Sequence, residues 1–139
     1  MTVPEQLIYT GKVRTMGGRE NGVARSSDGR LDIRLTPPGV PGSGTNPEQL
    51  LAAGWSACFE GAMGIAAKSM HVALPGNSAI DAEVDLNLAA GGYFLRARLR
   101  VSLPGVEPAV AREIVEQAHR TCPYSKAMSG NIDISIELA

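Results

Sequence analysis

An α+β domain of order β-β-β-α-β-β-α-β is what the sequence predicts, and three patterns carry that expectation. Ile80 to Leu88 and Tyr93 to Leu103 alternate apolar and polar residues, which reads as a long hairpin with one wet face. Leu50 to about Met70 carries only Glu60 and Lys68 as charges, the pattern of a helix buried on nearly all sides. Ile132, Ile134, Ile136 and Leu138 alternate again towards the C-terminal end, a last strand.

The elements follow in order. Leu7, Tyr9, Gly11, Val13 and Thr15 share one parity with polar neighbours, a loose first strand. Gly17-Gly18-Arg19-Glu20-Asn21-Gly22 breaks it, and a short run through Val23 leads to Ser27-Asp28-Gly29, a hairpin turn. Leu31, Ile33 and Leu35 alternate with Asp32 and Arg34, a half-buried strand. Thr36 to Thr45, rich in proline and small residues, is a loop. Asn46 suits a helix N-cap, Pro47 the first helical position, and Gln49 completes a capping-box-like start. Gly54, Ala57, Gly61 and Gly64 lie at helical spacing on the apolar segment; each glycine costs roughly 1 kcal/mol of helix propensity against alanine. Close approach of another backbone would explain keeping them. Pro75-Gly76 closes that unit. Arg96, Arg98 and Arg100 form the wet face of the hairpin. Pro108 opens a second helix with Val110, Ile114, Ala118 and Cys122 at i, i+4 spacing. Pro123 interrupts it, and a further helical turn runs to Gly130.

Composition narrows the function classes. The 139 residues are 44% hydrophobic and 19% charged, with a formal net charge of −1, a globular composition with room for one domain over residues 1–139. The charge balance gives no electrostatic case for nucleic acid or an anionic membrane, and 4% aromatics leaves little for base stacking. A membrane span at 50–70 is disfavoured by Glu60 in mid-run and by the dominance of Ala and Gly. Residues Met1 to Leu7 lack a basic segment followed by an apolar run, so no secretory signal is read there. Two cysteines form no secreted disulfide framework, and a reducing, cytoplasmic compartment is expected.

The candidates for chemistry are few. Cys58 sits inside the apolar helix and reads either as a small core hydrophobe or as a reactive thiol. Cys122 ends one helix and caps the next turn, where a helix N-terminus favours thiolate. A zinc reading would combine His119, Cys122 and Cys58, with no fourth ligand placed by spacing and His71 in no recognisable pattern. Met16, Met63 and Met128 read as packing residues. No phosphate-binding glycine loop and no Gly-x-Ser-x-Gly elbow is present.

The residues Thr45-Asn46-Pro47-Glu48-Gln49-Leu50-Leu51-Ala52-Ala53-Gly54-Trp55-Ser56-Ala57-Cys58-Phe59, followed by Cys122-Pro123-Tyr124-Ser125 and Gly130-Asn131-Ile132-Asp133, carry a resemblance. With Gly17-Gly18-Arg19 and Ser26-Ser27-Asp28-Gly29, they resemble the organic hydroperoxide resistance branch of the Ohr/OsmC family over essentially the whole chain. The resemblance implies a buried central helix packed against curved antiparallel sheets in an intertwined homodimer. It implies a thiol-dependent peroxidase that binds no cofactor or metal and is re-reduced by an external lipoyl-type dithiol. By motif, Cys58 is then the peroxidatic thiol, Cys122 the resolving one, and Arg19 and Glu48 the polar residues flanking the reactive sulfur. Leu51, Trp55, Phe59 and Tyr124 would wall an apolar substrate pocket. Leu51 and Trp55 stand where this branch more often shows other aromatics, and Lys126 leans towards the osmotically inducible sister branch.

Physical chemistry constrains those roles. Burial raises a thiol's pKa, so Cys58 needs a cation close to it to react as thiolate. Arginine suits the task because it stays charged when desolvated, and Glu48 is a fitting counter-charge for Arg19. Yet Glu48 and Cys58 are about ten residues apart, roughly 15 Å along one continuous helix. Either the helix is broken, or the carboxylate comes from another subunit, which would make the active sites shared across the dimer.

Overall fold

The computed structural model describes residues 4–139, which fall into two compact units, one running to Pro47 and the other from Glu48 to Ala139. The first holds β1 (Val13–Met16), α1 (Gly18–Asn21), β2 (Val23–Ser26) and β3 (Asp32–Arg34). These strands form one antiparallel sheet in the order β1-β2-β3, with Val13 opposite Ser26 and Val23 opposite Arg34.

The first strand is shorter than the alternation from Leu7 predicts. Its partner β2 ends at Ser26, so the ladder stops at Val13, and Leu7, Ile8 and Tyr9 lie exposed outside it. Without a pairing neighbour an alternating pattern does not make a strand. The glycine-rich break is an ordered helical turn, α1, entered through Gly17 and Gly18 at φ +82° and +69°. That left-handed backbone is one that side chains with a Cβ avoid. The hairpin turn after β2 closes as expected: Asp28 accepts from the Ser26 hydroxyl at 2.6 Å and the Arg30 amide at 3.0 Å. The loop that follows is tied by paired backbone bonds of 2.9 Å, Thr36 N–H to the Thr45 carbonyl and Thr45 N–H to the Arg34 carbonyl.

The second unit is built on α2 (Pro47–Ser69), β4 (Ala79–Ala89), β5 (Gly92–Ser102), α3 (Pro108–Thr121), α4 (Pro123–Met128) and β6 (Asp133–Leu138). β4 and β5 are the expected hairpin, paired from Ala79 opposite Ser102 to Ala89 opposite Gly92. β6 adds to β5 in parallel, with Arg96 opposite Asp133 and Val101 opposite Leu138. The sheet is therefore mixed, a correction to the wholly antiparallel expectation. Its cause is the path of the chain: α3 and α4 carry it back to the end of the sheet where β5 began, so β6 must run the same way.

Apolar faces converge on one core. From α2 come Trp55, Phe59, Ala62, Met63, Ala66 and Ala67; from β5, Ala97, Leu99 and Val101; from α3, Ala111, Ile114, Val115 and Ala118. The start of α3 is fixed by Glu107, whose carboxylate accepts from the Ala109 and Val110 amides at 3.2 Å each, which satisfies two otherwise orphaned donors. The opposite sheet face is wet, as its alternation predicts. There Arg98 forks onto Asp85 at 2.8 and 3.0 Å and donates to Glu83 at 2.9 Å.

Two packing expectations are corrected. Met63 is fully buried and Met128 packs against the core, but Met16 is 60% exposed at the end of β1, whose four residues are all exposed. And α2 is not buried on nearly all sides: only the stripe from Trp55 to Ala67 is covered, while Ala53, Ala57, Glu60, Gly61 and Ile65 are exposed. The other elements of the second unit cover one face of the helix and no more. By length and composition α2 could cross a membrane, at mean hydropathy 1.3, a property that core helices share.

Candidate active site

Helix geometry places Cys58 one turn beyond Gly54 and Trp55 on α2, next to the core residue Phe59. Cys122 occupies the junction of two helices, as the last cap of α3 and the first of α4, in an extended conformation at φ −62°, ψ 121°. Its amide donates back to the Ala118 carbonyl at 2.8 Å, and its own carbonyl accepts from Lys126 at 3.0 Å. Pro123 forces this break, because it has no N–H to continue the α3 ladder. The sequence thus sets a kinked, fully buried cysteine against a half-buried one on a straight helix.

Both thiols are free, and Cys122 is close enough to Cys58 to raise its pKa. Tyr124, in the first turn of α4, has a backbone N–H with no intrahelical acceptor, and that N–H acts to lower the Cys58 pKa. Burial pushes the Cys58 thiol above its ordinary value, Cys122 adds to the rise, and the Tyr124 amide opposes it.

Two further contacts frame the sulfur pair. The Tyr124 ring lies over Gly54, where an added Cβ would meet the phenol oxygen at 2.9 Å, so the glycine makes room for the ring. The Trp55 indole N–H donates to the Ser125 hydroxyl at 3.0 Å, and both residues are fully buried. Sequence reasoning reserved Gly54 for the close approach of another backbone, whereas a side chain, Tyr124, lies over it; it assigned no role to Ser125. The signal was a small residue one turn before Cys58 and a hydroxyl one turn after Cys122.

The remaining candidates from the resemblance lie on α1, α2 and α4. Leu51 is half-buried on α2 and Tyr124 is 41% exposed, whereas Trp55 and Phe59 are fully buried in the core. Arg19 is on α1 in the first unit. Glu48 is in the first turn of α2, which runs unbroken through Cys58, so the broken-helix alternative is removed and Glu48 stands roughly 15 Å along the axis from Cys58 of its own chain. His71 occupies a turn after α2 at φ +57°. Among the described residues no three His, Cys, Asp or Glu side chains gather as metal ligands, so the zinc alternative finds no ligand set.

A family model described as OsmC-like protein matches residues 40–137. The chain belongs to the OsmC-like family. Within that family it is similar to the organic hydroperoxide resistance protein of Xanthomonas axonopodis pv. citri (strain 306), 45% identical over 143 residues with both chains covered in full. It is also similar to the organic hydroperoxide resistance protein OhrA of Bacillus subtilis (strain 168), at 39% identity over 96% of this chain and 98% of that one. The crystal structure of OhrB of Bacillus subtilis matches this OsmC-like fold with a TM-score of 0.87 at 40% identity, covering 94% of this chain and 98% of that chain.

Proposed function

We propose that this chain reduces organic hydroperoxides by thiol chemistry at Cys58 and serves defence against oxidative stress. The observation that carries the reading is that two free cysteines, one half-buried and one fully buried, lie close enough for Cys122 to raise the Cys58 thiol. The relatives, named for organic hydroperoxide resistance, support it.

The Cys58 thiolate attacks one peroxide oxygen; the O–O bond breaks, the alkoxide takes a proton and leaves as alcohol, and Cys58 becomes sulfenic acid. The Cys122 thiol then attacks that sulfur. An S–S bond forms, the S–O bond breaks, and the hydroxide leaves as water with the Cys122 proton. An external dithiol of lipoyl type opens the disulfide by exchange, ending as a cyclic disulfide with both protein thiols restored.

A sulfur whose pKa is raised by burial needs a cation to react at neutral pH, and Arg19 with Glu48 as its counter-charge is the pair proposed to supply it. Because Glu48 cannot reach Cys58 along its own unbroken helix, the reading takes the pair from a second copy in a homodimer with shared sites. The exposed small-residue face of α2 is consistent with a close helix approach there. Leu51 and Tyr124, with Trp55 and Phe59, would favour alkyl or fatty-acyl hydroperoxides over hydrogen peroxide. The chemistry fits a cytoplasmic location, where thiols stay reduced.

The test is turnover of cumene hydroperoxide with dihydrolipoamide by wild type and Cys58→Ser. Wild type should turn over and lose both free thiols to an intrachain disulfide, while Cys58→Ser should do neither. Equal rates for the two proteins would end the reading.

A further inference from the structure

The sulfur pair is bracketed by a hydrogen bond with no role in the chemistry above. Trp55 lies three residues before Cys58, Ser125 three residues after Cys122, and the indole N–H donates to the hydroxyl at 3.0 Å with both side chains fully buried. Each partner is thus about one helical turn from one of the sulfurs. We infer that Trp55 and Ser125 are positioning residues for disulfide formation: their bond holds α4, and with it Cys122, within reach of Cys58. The inference rests on the thiol chemistry proposed above.

The two sides of the bond differ in stiffness. Cys58 is carried by a helix of 23 residues, whereas Cys122 hangs at a kink and α4 has only six. A disulfide demands a Cα separation of about 4.4–6.8 Å, so a small swing of α4 removes Cys122 from range while α2 stays in place. The nearest exposed contact, Tyr124 over Gly54, can slide because its ring is partly in solvent. The Trp55–Ser125 bond cannot be exchanged for water without opening the core, and losing either partner leaves the other buried and unpaired.

Capture competes with a second oxidation. Cys58 sulfenic acid either condenses with Cys122, releasing water, or meets another hydroperoxide, which transfers an oxygen to sulfur and leaves as alcohol, giving sulfinic acid. Weakening the bond should shift that partition towards the sulfinate.

The test exposes the reduced full-length chain to a series of cumene hydroperoxide excesses and reads intact mass, where disulfide loses two hydrogens and sulfinate gains two oxygens. Ser125→Ala and Trp55→Phe should each raise the sulfinate-to-disulfide ratio by roughly five- to tenfold, the size expected for losing one buried hydrogen bond. The double variant should go no further than either single one, and Ser125→Thr, which keeps the hydroxyl, should return the ratio towards wild type. A loss of stability alone would lower the melting temperature without moving the ratio. If Ser125→Ala does not fold, Trp55→Phe set against Ser125→Thr decides. A wild-type ratio in folded variants overturns the positioning role and leaves the thiol chemistry standing; a wild type that makes no Cys58–Cys122 disulfide overturns both.

Discussion

The unit from Glu48 onward encloses Trp55, Phe59, Met63, Leu99 and Ile114 completely, while the unit up to Pro47 buries Ala24 and Leu35 as its hydrophobic core and leaves Leu7, Ile8, Tyr9, Val13 and Met16 in the open. The difference follows the chemistry each can host. The disulfide proposed between Cys58 and Cys122 needs fixed geometry and dryness, and both cysteines lie in the well-packed unit. Burial raises the Cys58 thiol, and Arg19, the cation proposed to oppose that rise, sits on a glycine-entered turn in the thinly packed unit. Stability and reactivity are therefore expected to respond to different halves of the chain.

Packing gives the largest contrast. Phe59→Ala should cost about 3–5 kcal/mol in denaturant unfolding, because the site is closed on all sides and cannot collapse around the loss. Val13→Ala, on an exposed strand, should cost under about 0.5 kcal/mol. A larger loss at Val13 that depends on protein concentration would show that a second copy covers β1.

Reactivity should invert that ranking. Arg19→Ala is expected to leave the melting temperature near wild type yet slow alkylation of Cys58 by iodoacetamide roughly 10- to 1,000-fold at pH 7, the effect of removing a cation that lowers a pKa by about 1–3 units. The sign is checked by pH. Burial raises the Cys58 thiol, so without the cation reactivity should climb only at alkaline pH, and the Arg19→Ala profile should lie above the wild-type midpoint. Arg25→Ala, in the same unit and paired with Asp32 at 2.9 Å on an exposed surface, should not shift the profile. An identical midpoint in Arg19→Ala and wild type would falsify the proposed role of Arg19.

How legible all this was in the sequence follows the same division. The hairpin, α3 and the last strand were read because each has one buried face, and burial writes period two or period 3.6 into the residues. The parallel pairing of β6 was not, since strand direction is set by where α3 and α4 return the chain. The first strand was overextended because alternation at Leu7 and Tyr9 says nothing about a missing pairing partner. Burial of α2 on nearly all sides was an inference from apolar character, and within one chain its small-residue face is exposed. At the site, Cys58 and Cys122 stood out through a motif. The Trp55–Ser125 bond could not, because a contact across 70 residues leaves no local periodicity.

A smaller effect is expected where the two cysteine-bearing segments touch outside the core. Gly54→Ala places a methyl 2.9 Å from the Tyr124 hydroxyl, so the half-exposed ring must swing off α2. The helix gains roughly 1 kcal/mol of propensity, which offsets the lost contact, and thermal stability should stay close to wild type. Hydroperoxide turnover should nevertheless fall several-fold, since Tyr124 is proposed to wall the pocket and its amide opposes the rise of the Cys58 thiol. Stability and turnover falling together would instead mark Gly54 as a plain packing position.

The smallest contrast lies between the ion pairs of the two sheets. Arg98 forks onto Asp85 and reaches Glu83 as well, and this arginine holds the Asp85 carboxyl below its ordinary value. A depressed carboxylate contributes stability at neutral pH that is lost as pH falls through its folded-state pKa. Arg98→Ala should therefore lower the melting temperature slightly at pH 7, with the gap to wild type closing below pH of about 4 and shrinking at high salt. Arg25→Ala removes a single exposed bond and should change the melting temperature too little to measure. A forked pair differs from a single one because three charge-assisted bonds share the cost of ordering one side chain, whereas the Arg25–Asp32 bond bears that cost alone. Equal melting shifts for the two variants would remove that distinction between the sheets.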